Sequence, residues 1–145
     1  MTAHFRYLLR VRYSECDAQK VVFNARYGEY VDVAAVEFFR AIGFGLEAIE
    51  YHLVKQTVEW KAPARLDDIL ELSVSVTHLG TTSFTIATEI RRAGDDQIIT
   101  VVETVNVFID ALSMKKMPIP VDIRTALEKG APGIVVDHAG YSGKN

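Results

Sequence analysis

The chain has 145 residues, 49% hydrophobic and 24% charged, with a formal net charge of -3. That length supports one domain with a sizeable core, and scattered basic residues under a negative balance exclude an obvious nucleic-acid partner. No apolar run approaches the ~18 residues of a membrane span, arginines interrupt the opening segment so that it does not read as a signal peptide, and a single cysteine, Cys16, excludes an internal disulfide framework, so a cytoplasmic protein is expected.

Phe5, Tyr7, Leu9, Val11 and Tyr13 alternate with Arg6, Arg10 and Arg12, the pattern of a half-buried strand over residues 5–13. A loop from Ser14 to Lys20 follows. The period then changes. Tyr27, Val31, Ala34, Phe38 and Ile42 recur at spacings of three and four, which predicts an amphipathic helix from about Asn24 to Ile42. Asn24 is a good N-cap type and Gly43 a good stop, and Gly45 to Tyr51 adds a short helical turn.

From residue 53 the period returns to two. Alternating runs over 53–61, 70–78 and 83–90 predict three strands. Arg92–Ala93–Gly94–Asp95–Asp96 reads as a hairpin turn. Ile98 to Ile109 is apolar on much of both faces, which predicts a central strand covered on both sides. Pro118 and Pro120 end it. Val121 to Lys129 reads as a short helix closed by Gly130, with a loose tail from about residue 131. The fold class is therefore α+β: one long helix on a mostly antiparallel curved sheet of about five strands, in a single domain over 1–145. The two-sided apolar strand calls for a further covering surface, and a second copy of the chain is the economical one.

The residues Arg12–Tyr13–Ser14–Glu15–Cys16–Asp17, Val21–Val22–Phe23–Asn24, Tyr27 and Glu37–Phe38–Phe39–Arg40 together resemble the hot-dog acyl-CoA thioesterases related to 4-hydroxybenzoyl-CoA thioesterase. Pro63 to Asp68 and Thr82–Ser83–Phe84 add weaker support. The resemblance covers about residues 5 to 115 and implies a homo-oligomer, a dimer or tetramer, with sites between subunits. Two departures stand out. The family usually has Gly where this chain has Lys20, a position where positive φ is easy for glycine. The hairpin His78–Leu79–Gly80–Thr81–Thr82 carries no fixed cation, although relatives often place one there for the nucleotide end of CoA.

Hydrolysis of a thioester needs a nucleophile or general base near the carbonyl, and donors for the developing oxyanion. The resemblance assigns the first role to Asp17, either attacking the carbonyl or deprotonating a water. Unpaired N–H groups and the positive dipole end at a helix start suit the second role, around Phe23 and Asn24, with Val21–Val22–Phe23 excluding water. Catalytic candidates are thus Asp17 and Asn24, and substrate-binding candidates are Val22, Phe23, Tyr27, Thr81, Thr82 and Ser83.

Each residue also has a plainer reading. Asp17 caps a turn; Asn24 caps the helix or holds a water; Tyr27 begins the core stripe. Glu37 is a surface or intersubunit ion-pair partner, and Lys115–Lys116 a solvated pair or a contact for CoA phosphates. Glu15 and Cys16 point away from Asp17, with Cys16 a small buried residue. The four histidines show no ligand spacing, so no metal is expected, and no cofactor beyond CoA as part of the substrate. An acyl carrier protein is the alternative carrier. Two other functions compete. A hot-dog dehydratase or hydratase needs a helix-region His, and none occurs between His4 and His52. A non-catalytic acyl-thioester binding module is the remaining alternative.

Overall fold

The computed structural model describes residues 4–141. The elements follow in the order β1 (Phe5–Arg10), α1 (Arg26–Ala41), β2 (Tyr51–Trp60), β3 (Ile69–Leu79), β4 (Ser83–Arg92), β5 (Ile98–Phe108), α2 (Val121–Lys129) and β6 (Val135–Asp137). The six strands form one sheet in the order β2-β5-β4-β3-β1-β6. Every pairing is antiparallel except that of β6 with β1.

The predicted apolar stripe of the helix is the one that packs. Tyr27, Tyr30, Val31, Ala34, Phe38 and Phe39 are the buried residues of α1. They lie against Phe5, Leu72, Val74 and Ile86 of the sheet in one core. Toward the end of the helix, aromatic edges interlock: Phe5 and Phe38 rings stand 5.6 Å apart, and Phe39, Tyr51 and Phe108 all meet Phe84 within 6 Å. Rings of this size dominate core energetics, and edge-to-face packing adds to their area burial. Gly43 then takes φ +103°, a left-handed stop that glycine reaches without strain.

Four expectations need correction. The first strand ends at Arg10, because Val11 leaves the sheet to exchange hydrogen bonds with the connector before β3: its N–H donates to Asp68 O at 2.9 Å and its carbonyl accepts from Asp67 N at 3.1 Å. Residues 13–15 then form one tight helical turn. The helix starts at Arg26, its N-cap is Ala25, and no side chain caps it. Asn24 is not the cap, since Phe23 and Asn24 are held outside the helix by longer-range bonds described below. Finally, the chain is not loose from 131 throughout. Residues 135–137 add a sixth strand beside β1, with Arg6 N–H donating to Ile134 O at 3.0 Å and His138 N–H to Leu8 O at 2.9 Å.

The strand at 98–108 is interior, between β2 and β4. Its Val102 is buried on the helix side, while Val101, Val105 and Val107 on the other face are only half-buried within one chain. Among the described residues no strand pairs with the outer edge of β2, and Leu53, Val54 and Trp60 on it are 47%, 59% and 52% exposed.

Candidate active site

The turn carrying Asp17 is a small hairpin. Cys16 and Val22 form an antiparallel bridge, and Asp17 N–H donates to Val21 O at 2.9 Å. One Asp17 oxygen, Oδ1, accepts from the Gln19 amide at 2.8 Å and more distantly from Val21 N at 3.5 Å. No hydrogen bond among the described residues engages Oδ2, and the residue is exposed. So Asp17 does cap its own turn, but with half of its carboxylate. Lys20 sits in this turn with φ +66°, the conformation glycine adopts most readily.

The hairpin is fixed from outside. Val22 N–H donates to Ala64 O at 2.9 Å, and Leu66 N–H to Lys20 O at 3.1 Å. The connector that receives it is pinned in turn by Arg92, whose guanidinium meets Asp68 at 3.1 Å and Pro63 O at 3.2 Å. This gives the Pro63–Asp68 segment its part: it is the shelf on which the acidic hairpin rests.

A buried network holds the other side. Glu15 is 5% exposed. Its carboxylate accepts from the Arg12 amide and the Tyr30 hydroxyl, both at 2.8 Å, and pairs with the Arg12 guanidinium. Burial alone pushes the Glu15 carboxyl up, but the hydrogen bonds from Arg12 and Tyr30 outweigh it and leave it below the usual range. Burial and the Glu15 contact raise the Tyr30 hydroxyl steeply. Glu15 and Asp17 thus face opposite ways. Cys16 between them is half-buried, its thiol raised first by burial and then by Glu15 and Asp17, as befits an inert cysteine.

The helix entry differs from expectation. Phe23 N–H is not free for an oxyanion, because it donates to Glu15 O at 3.0 Å. No hydrogen bond within the described residues engages the N–H groups of Asn24 and Ala25. The Asn24 carbonyl accepts from Trp60 Nε1 at 3.3 Å, which draws β2 to this point. Nor does the apolar run seal the site within one chain: Val22 is buried in the core, but Phe23 is 55% exposed. Tyr27 is a core residue and not a pocket wall. It is 2% exposed, its hydroxyl accepts from Ala64 N–H at 3.3 Å, and burial raises its pKa above the ordinary tyrosine value.

Thr81, Thr82 and Ser83 are not brought to Asp17. They form the β3–β4 turn, whereas the Asp17 hairpin hangs on the connector held by Arg92. Ser83 and Arg92 are the two ends of β4, so at 3.3–3.4 Å per residue they lie roughly 30 Å apart. The cation missing from this turn in sequence is supplied in space. Arg124 of α2 donates to Gly80 O, with a longer approach to Thr81 O at 3.5 Å. The strand exit is close by, with Ile119 N–H on Thr81 O at 2.9 Å and Lys116 bridged to Ile109.

Sequence reading also passed over four residues between α1 and β2. A Cβ on Gly28 would stand 3.2 Å from Gln56 Nε2, so the glycine lets that amide approach the helix. One turn on, burial and then Glu29 raise the Asp32 carboxyl, and Asp32 lifts the half-buried Tyr51 further after burial. A glycine at a helix-interior position was the only local signal. Glu37 pairs with Arg40 of the same helix at 2.7 Å. Among the described residues no three His, Cys, Asp or Glu side chains cluster as a metal site, and no helix is long and apolar enough to cross a membrane.

One long helix laid on an open, mostly antiparallel sheet, with an acidic hairpin at the helix entry, defines the hot-dog class. Comparison with known proteins narrows it. The model of the thioesterase-like superfamily matches residues 11–127. The acyl-CoA thioester hydrolase YbgC of Escherichia coli O6:H1 is 35% identical over 127 residues, 84% of this chain and 94% of that protein. A solved structure from Aquifex aeolicus superposes with a TM-score of 0.79 at 26% identity, covering 85% of this chain and 98% of its own. The gentisyl-coenzyme A thioesterase BH1999 gives 0.74 at 25% identity, with 85% and 98% covered. The chain belongs to the thioesterase-like superfamily and is a thioesterase enzyme.

Proposed function

We propose that the chain hydrolyses acyl-CoA thioesters to free acid and thiol, with Asp17 as the acting carboxylate. The observation that carries this is the state of Asp17: exposed at the tip of a pinned hairpin, one oxygen held by its own turn and the other unengaged. The amides of Asn24 and Ala25, just ahead of α1, are the candidate oxyanion donors, where the helix dipole favours negative charge. Either the carboxylate attacks the carbonyl carbon, the C–S bond breaks and water opens the resulting mixed anhydride; or the carboxylate takes a proton from a water as that water attacks, and the proton passes to the departing thiolate. Neither route calls for a metal or organic cofactor. The names of YbgC and BH1999 specify coenzyme A esters, which favours CoA over an acyl carrier protein.

The acting form is an oligomer of identical chains in the cytoplasm, a dimer or tetramer. Asp17 and the Thr81–Ser83 turn are at opposite ends of one sheet, so both serve one site only when the turn comes from a second copy. The unpaired β2 edge with its exposed Leu53, Val54 and Trp60 supports such pairing. Arg124, Lys115 and Lys116 then stand near the nucleotide end of CoA.

The test is free-thiol release from short, long and aromatic acyl-CoAs by the wild type and Asp17→Asn. Asparagine keeps the shape without the base or nucleophile, and loss of roughly 10²–10⁴-fold is expected. Undiminished turnover in the variant would overturn the assignment of Asp17. Tight acyl-CoA binding with no thiol released by the wild type would instead make the chain a binding module.

A further inference from the structure

We infer that the chain has a second ligand site, for a small organic carboxylate with an apolar body, in the cleft between α1 and the β1–β6 edge. The cleft has a volume of about 530 Å³, within the ordinary range for small-molecule sites. It shares no lining residue with the proposed hydrolytic set: Asp17, Asn24, Phe23 and the Thr81–Ser83 turn all lie outside it.

Its walls have two characters. The inner part is apolar, made by the rings of Tyr7 and Tyr30 with Leu9, Val33 and Ala139. Val33 is 44% exposed here, on a helix whose other faces are either packed or charged. The rim is cationic. Arg10 reaches only neutral carbonyls, Asp67 O at 3.4 Å and Ala139 O at 3.5 Å, and no described carboxylate pairs with it. Arg12 spends Nε and one terminal nitrogen on Glu15, which leaves the other terminal nitrogen to donate. The Tyr7 hydroxyl and His138 Nδ1 are 2.9 Å apart. With the hydroxyl donating, His138 Nε2 keeps the ring proton and is a further donor.

Charge decides what fits. Among the side chains that line the cleft, Glu15 cancels Arg12, and Arg10 leaves the lining with a positive balance. A guanidinium with two long carbonyl contacts trades them readily for a carboxylate, whose charge-assisted bonds are shorter and about twice as strong. The apolar wall selects against inorganic anions and for an acid with an aromatic or medium-length aliphatic body.

The probe is benzoate, titrated calorimetrically into the full chain, with octanoate as a second acid and inorganic phosphate as a control. Saturable binding of one acid per chain is expected, absent for phosphate. Arg10→Gln and, independently, Val33→Glu should each weaken it by about tenfold or more, while Asp17→Asn leaves it unchanged. Both altered residues are on the surface, so the variants keep the wild-type unfolding midpoint. No saturable binding of either acid, as when another copy of the chain covers the cleft, would overturn the inference. So would binding indifferent to both cleft variants, or binding lost with Asp17→Asn, which would place the acid in the hydrolytic site. None of these readings depends on thioester turnover.

Discussion

Lys20 shows how one residue holds a strained conformation for a purpose. At φ +66° a non-glycine residue costs roughly 1–2 kcal/mol, yet its carbonyl receives Leu66 N–H and so ties the hairpin to its shelf. Lys20→Gly should raise stability by up to about 1 kcal/mol, the strain relief being partly offset by the freer unfolded chain. A higher urea midpoint at unchanged slope is the expected result. Glu15 is the opposite case, a residue whose loss is costly. Its folded carboxyl lies below the ordinary value of 4.5, so the stability it contributes is present above that pH and fades as pH falls through the lower folded value. Tyr30 is raised above 10.0, so its contribution holds below pH 10 and is lost on further rise. Glu15→Gln should flatten the acid limb of a stability–pH profile. It should also cost roughly 1–3 kcal/mol near neutrality by weakening the bonds to buried Tyr30 and to Arg12. An acid limb unchanged from wild type would assign it elsewhere.

Among the elements, α1 was legible because its apolar residues repeat on one face over four turns, and β3 and β4 because their alternation is strict. Its start was not, because what stops the helix short of Asn24 is a bond from Phe23 N–H to Glu15 O and another from Trp60 to Asn24 O. Both depend on tertiary approach and leave no local pattern. Three residues of β6 carry no period at all. Asp17 stood out as a candidate through the company it keeps in sequence, whereas the support of its hairpin by Ala64, Leu66 and Arg92 and the arrival of Arg124 at Gly80 left no sequence signal. The exposed edge strand β2 carries its own prediction. Val54→Asp puts a charge at the bulge between Leu53 and Lys55, where self-pairing would bury it. Sedimentation velocity should show a smaller species than the wild type, with thiol release falling in step. A variant that sediments as the wild type would remove β2 from the interface.

At the scale of the molecule, the helix entry, the acidic hairpin and the Arg92 shelf gather at one end of the sheet, while the β3–β4 turn, Arg124 and the Lys115–Lys116 loop gather at the other. One chain therefore sets the two groups of the proposed site apart, at opposite ends of its sheet. Composition and period could predict the layers, but not this separation, which follows from strand register. It also explains why Asp17 and Phe23 remain open to solvent in a chain whose core is otherwise closed. The opposite sheet edge has a different history. β1 precedes β6 in the chain by more than a hundred residues, yet they lie side by side as parallel neighbours. Until the last strand arrives, β1 offers a bare row of amides and carbonyls to any passing strand, and closing so long a loop is slow as well as entropically costly. Newly made chains thus pass through an interval in which nearly everything is in place but one border stays adhesive. Crowding of nascent copies during that interval opens a route to aggregation that the stability of the finished fold does not report.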